Sequence, residues 1–244
     1  GIYARGPITI PATSTVDVYA QARTNTAYAV AVYAGITGNT IAGGTFTAKA
    51  KTGKTAGGIY SAGNITVSGG TFTATTKTTG AYGIYSVRGT VTVNGDPTFN
   101  VTAGSTTAYG AYAYGTIGAN GKGKYSGTIN IHGGTFNVTS TKENAWGAYA
   151  ALVSKTVKLV VPENADDTIA GTHYMPGILS ITDGTFNVKA KTTGAYGIVV
   201  AGGKKESGAV GTTARYPKAT VTGGKFKVES AGDANATAYR SEER

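Results

Sequence analysis

Between Asn64 and Thr76 the chain reads NITVSGGTFTATT. Ile65 and Val67 alternate with Thr66, and Phe72 and Ala74 alternate with Thr71 and Thr73. Period two over short words is the mark of β-strands with one buried face. The pattern recurs along the chain. All six phenylalanines, Phe46, Phe72, Phe99, Phe136, Phe186 and Phe226, sit in one motif written GGTFTA, GGTFTA, DPTFNV, GGTFNV, DGTFNV and GGKFKV. Alternating words such as NITVSG, TVTVNG, TINIHG, LSITDG and ATVTGG come just before it. Ten residues after Phe72, Phe99, Phe136 and Phe186 stands an aromatic in the word Ala-aromatic-Gly: Tyr82, Tyr109, Trp146 and Tyr196. After Phe46 the matching word is AGG, with Gly57 in the aromatic slot, and after Phe226 it is delayed to Tyr239. One repeat therefore reads AYGIYS, then xITVSG, then GTFTATT, with a minimum length of about 25 residues.

Three short strands cannot bury a face alone, but stacked repeats can, with like residues in ladders. This predicts an all-β, right-handed parallel β-helix (β-solenoid) of about seven coils, three short strands to each. At the inter-strand spacing its body would be roughly 35 Å long. The six phenylalanines are expected to form a core ladder. In the AYGIYS word, Ile59, Ile84, Ala111, Ala148 and Ile198 are expected inward, which leaves Tyr60, Tyr85, Tyr112 and Tyr149 as an outer tyrosine ladder. The N-terminal GIYARGPITI fits GIYSVRGTVTV, with Val16 or Val18 in place of the phenylalanine.

The interval from that tyrosine to the next phenylalanine is 12 residues for Tyr60–Phe72 and 14 for Tyr85–Phe99, then 24 for Tyr112–Phe136 and 37 for Tyr149–Phe186. Insertions at about 113–127, 152–178 and 201–218 therefore leave from one corner in the C-terminal half. The middle one carries VKLVV, expected to be an extra strand. Loops on one side of a monotonous rod are a natural binding surface. Residues 1–244 read as a single β-helix domain that starts and stops inside a repeat, as a segment of a longer repeat protein would, or a subunit that stacks end to end.

Composition agrees with this picture: 38 glycines, no cysteine and only 14% charged residues. A long continuous core needs no disulfides. No apolar run is long enough to span a bilayer. The formal net charge of +10 favours anionic partners such as acidic glycans. Lys49, Lys51, Lys54, Lys77, Lys142, Lys189 and Lys191 all follow the phenylalanine strand and would stack as a basic stripe. Such a stripe binds polyanions, or serves solubility and blocks edge pairing. Nucleic acid is not favoured, because no basic motif is interleaved with aromatics.

Enzymes on β-helices need clustered carboxylates. Here Asp166 and Asp167 share a loop, Asp183 holds a corner slot that Ser68, Asn94 and His132 fill elsewhere, and His173 stands without an evident partner. No catalytic residue, metal site or cofactor is implied. The Thr-x-Thr pairs around Phe46 and Phe72 resemble ice-binding arrays, but Asn100, Asn137, Asn187 and Lys227 break the pattern.

NITVSGGTFTA followed by GAYGIYS resembles the Gly/Thr-rich repeats of large adhesin-like surface proteins of bacteria and some archaea. The resemblance implies a secreted or cell-surface right-handed β-helix that presents a binding surface or acts as a stalk. The expected function is non-enzymatic binding of a glycan or host protein. The insertion loops, the tyrosine face or the lysines Lys49, Lys51, Lys77, Lys189 and Lys191 are the candidate sites. A stalk or a self-assembling filament subunit is the alternative, ahead of a polysaccharide-active enzyme.

Overall fold

The computed structural model describes residues 1–22, 28–36, 38–51, 55–117, 125–157, 171–201 and 217–231. They form strands and turns with no helix among them. The AYGIYS words build a seven-stranded parallel sheet: Ile2–Tyr3, Tyr28–Ala34, Thr55–Ser61, Gly80–Val87, Ala108–Tyr114, Ala145–Ala150 and Ala195–Val200. The other two words form two parallel ladders within one 12-stranded sheet. The ladders merge because Thr128–Ser140 and Ile178–Ala190 each run 13 residues through both words. There the expected separation into short strands fails, and a register shift around His132 with positive φ at Gly134 and Gly184 marks the corner. The result is an all-β, solenoid-like arrangement of parallel strands.

Registry follows the repeat. Phe46, Phe72, Phe99, Phe136, Phe186 and Phe226 pair in column, and Val18 takes the phenylalanine place before Phe46. Their rings stack face to face at 4.8, 5.0, 4.9, 4.9 and 4.8 Å. All but Phe226 are fully buried, in one core shared with Ile65, Val67, Ile129, Ile131 and Ile181. The corner before each phenylalanine is tight: Gly70 holds φ +96°, in the left-handed region that favours glycine. On the side of the phenylalanine strand opposite the rings, Asn137 donates to Asn100 and accepts from Asn187, both at 2.8 Å. Asn137→Ala leaves both neighbours short of a partner and is expected to cost about 1–2 kcal/mol in a denaturant melt.

The AYGIYS strand does not alternate throughout. Ala81, Ile84 and Ser86 are buried, and Gly83 faces the core with Phe99 beneath it, so Gly83 and Ile84 are inward in succession. The paired register steps over Gly83. Ile59, Ala111 and Ala148 are fully buried at the place of Ile84, while Ile198 is half-buried against the core. The glycine is dictated by packing. At Gly110 a Cβ would lie 2.4 Å from the carbonyl oxygen of Gly147 and 3.1 Å from Phe136.

Candidate functional site

The break in alternation puts two aromatic rows on the same outer face. The first contains Tyr3, Tyr33, Tyr60, Tyr85, Tyr112 and Tyr149, with successive rings 4.9, 4.7, 5.4, 4.7 and 5.4 Å apart. It brings together the tyrosines expected from sequence and extends them through Tyr3 and Tyr33. The sequence words IYA and VYA, each matching IYS, were the signal for those two. The second row is Tyr82, Tyr109, Trp146 and Tyr196, residues that the sequence marked only as repeat punctuation. The rows meet: Tyr82–Tyr85 lie 5.3 Å apart edge to face, Tyr109–Tyr112 4.7 Å and Trp146–Tyr149 4.3 Å, both stacked.

The second row stops at Tyr82. The next positions in its column are Gly57 and Val30. Lacking a side chain, Gly57 lets the Tyr82 ring lie over it, where a Cβ would be only 2.1 Å from that ring. The double row thus ends in a step. A groove of about 950 Å³ opens there, with Val30, Tyr33, Tyr60, Tyr82 and Tyr85 among its lining and Thr55 and Thr79 alongside. Among the described residues, no charged side chain lines it. This size and apolar character suit a small-ligand site.

Burial, then the neighbouring phenols, push the tyrosine hydroxyls upward. Tyr85 and Tyr109 rise to about 12, Tyr112 goes higher, and Tyr60 and Tyr149 are also raised. The face is neutral at physiological pH. For a raised phenol the stabilisation is whole below the unfolded value of 10.0 and is lost as pH climbs through the folded value. Thermal stability is therefore expected to hold to about pH 10 and fall between there and about pH 12. Phenolate absorbance should show part of the tyrosines titrating late.

The lysines do not form one stripe. Counted by register, Lys49 stands in a column with Thr75, Thr102, Thr139, Lys189 and Glu229. Lys51 lies one corner further on with Lys77 beside it, and Gly104 and Thr141 separate them from Lys191. Uncharged residues thus interrupt both columns. Glu229 pairs with Lys189 at 3.3 Å and with Lys227 at 2.9 Å, and the Lys49 ammonium sits 5.7 Å over the Tyr19 ring. Lys142 is exposed, and Lys54 lies outside the described residues.

All three insertions follow an AYGIYS-type strand. The middle one begins and ends in an antiparallel pair, Val153–Val157 with Gly171–Met175. The strand thus lies before most of VKLVV, whose residues 158–161 are outside the described set, as are Asp166 and Asp167. Val153, Met175 and Ile117 form a small cluster that ties two insertions together. Asp183 accepts the Gly184 N–H at 2.7 Å, which is turn chemistry, and His132 bonds Thr182. Among the described residues no three His, Cys, Asp or Glu gather as a metal site, and no helix is long and apolar enough to cross a membrane. No protein-family model matches the chain, and no curated protein or solved structure matches it.

Proposed function

We propose that this chain is a non-enzymatic, secreted or cell-surface protein of adhesin type that binds its ligand on the aromatic outer face. Its ladders are read as a right-handed β-helix of about seven coils, a rigid body that holds the face flat and straight. The supporting observation is the convergence of two aromatic rows on the outside of the sheet, with a groove beside them that no charged side chain lines among the described residues. Contiguous apolar surface of this kind marks interaction sites, and tyrosine, apolar in body and polar at its tip, suits them. The interrupted lysine columns give weaker support to polyanion binding.

An array of glycans and extracellular proteins, probed with the 244-residue chain at physiological salt, tests this reading. A ligand is expected whose affinity falls about tenfold or more in a Tyr85→Ala/Tyr112→Ala variant that still melts cooperatively. Deleting residues 158–170 should leave it. Binding that survives the tyrosine changes but disappears with the deletion moves the site to the insertion. Binding abolished by added salt moves it to the lysines, and no binding at all leaves a stalk or filament subunit as the better reading.

A further inference from the structure

We propose that the step beside Gly57 is a subsite for a neutral saccharide, an inference that rests on the ligand-binding reading of the aromatic face. The groove has the two surfaces a sugar requires. Its lining offers aromatic surface from Tyr33, Tyr60, Tyr82 and Tyr85, against which the C–H face of a pyranose packs. Threonine hydroxyls, Thr55 and Thr79 among them, stand beside these rings. A hydroxyl donates and accepts at once, as sugar hydroxyls do. Tyrosine rings repeat along the row at 4.7–5.4 Å, about the length of one sugar residue, so a linear chain can keep its register along the rungs.

Charge selects among glycans. The chain carries a net charge of +10, yet among the described residues no charged side chain lines the groove. A carboxylated or sulfated sugar would lose hydration there and gain no cationic side chain among the described lining residues. A neutral sugar loses little.

From Tyr82 onward the second row is filled, and aromatic meets aromatic: Tyr109 lies on Tyr112 and Trp146 on Tyr149. Where Val30 stands in the column in place of an aromatic, the groove opens beside the rings of Tyr33 and Tyr60, and it continues to Tyr109 and Tyr112. Val30, which lines the groove, is thus a specificity position through what it leaves open.

The test titrates the 244-residue chain by calorimetry with short oligosaccharides of β-glucan, mannan, xylan and galactan. Oligogalacturonate, hyaluronan oligosaccharides and choline serve as counter-probes. At least one neutral saccharide is expected to bind with an affinity that salt does not change. Val30→Tyr, which puts into the step the side chain that Tyr109 already carries two strands beyond Gly57, should weaken it about tenfold or more. Tyr33→Leu, which removes a ring and adds none, should do the same and covers the case in which Val30→Tyr fails to fold. Tighter binding of the acidic sugars or of choline overturns the proposal, as does neutral-sugar binding that neither variant alters. If the array yields only protein ligands, the saccharide subsite is wrong while ligand binding on the face stands. If nothing binds, both fall.

Discussion

Phe136→Ala is expected to cost about 3–5 kcal/mol, lowering Tm by about 6–20 °C in a thermal melt. The ring is fully buried and sandwiched between Phe99 and Phe186, each 4.9 Å away. Truncation removes apolar area, two stacking contacts and the support beneath Gly110, whose backbone approaches the ring edge. The ladder cannot collapse to fill the gap, because strand pairing fixes the phenylalanine spacing from both sides. Phe226→Ala supplies the contrast. That ring is only partly buried and, among the described residues, stacks on Phe186 alone, so its loss should be clearly smaller. Equal effects would mean that the rings contribute singly and that the ladder adds nothing.

The second large effect concerns addition of atoms. Gly110→Val places a Cβ 2.4 Å from the Gly147 carbonyl oxygen and 3.0 Å from Val138, and further methyls beyond it. Backbone on one side and core on the other leave no direction for relief. A loss of about 3 kcal/mol or more is expected. Gly6→Ala, where a Cβ meets nothing within 4 Å, should stay within about 0.5 kcal/mol of the parent. The pair separates glycine required by packing from glycine that is merely present. Gly110 also sits at the phase break, so displacing this strand should pull Tyr109 and Tyr112 apart and weaken any ligand bound along the face.

The parallel all-β architecture is legible in the recurrence of TF and of the alternating word before it, because strand pairing repeats what the sequence repeats. The slot of Gly57 is equally legible, since the words AGG and AYG align, and it stands opposite Tyr82 in the sheet. The double aromatic row was hidden. Period two places residues three apart on opposite faces, so Tyr82 and Tyr85 should diverge. They converge because Gly83 and Ile84 both turn inward, a backbone event that no side-chain pattern announces. The lysines were misgrouped for a simpler reason. Lys49 and Lys189 stand three residues after their phenylalanines, whereas Lys51, Lys77 and Lys191 stand five after theirs. In a registered stack these offsets are different columns, and threonine or glycine fills the intervening rungs. In the middle insertion the strand pairing described is VSKTV with the returning GTHYM segment, while residues 158–161 of the expected VKLVV strand lie outside the described residues.

Ligand binding at the aromatic step is tested most directly by tyrosine-ring NMR of the labelled chain, titrated with whichever array ligand binds tightest. Chemical-shift changes are expected first and largest at Tyr33, Tyr60, Tyr82 and Tyr85, with Tyr19 and Tyr125, which lie outside the groove lining, unmoved. Shifts centred on Tyr125, or a saturable binding that leaves every tyrosine ring unperturbed, would contradict a ligand site on this face.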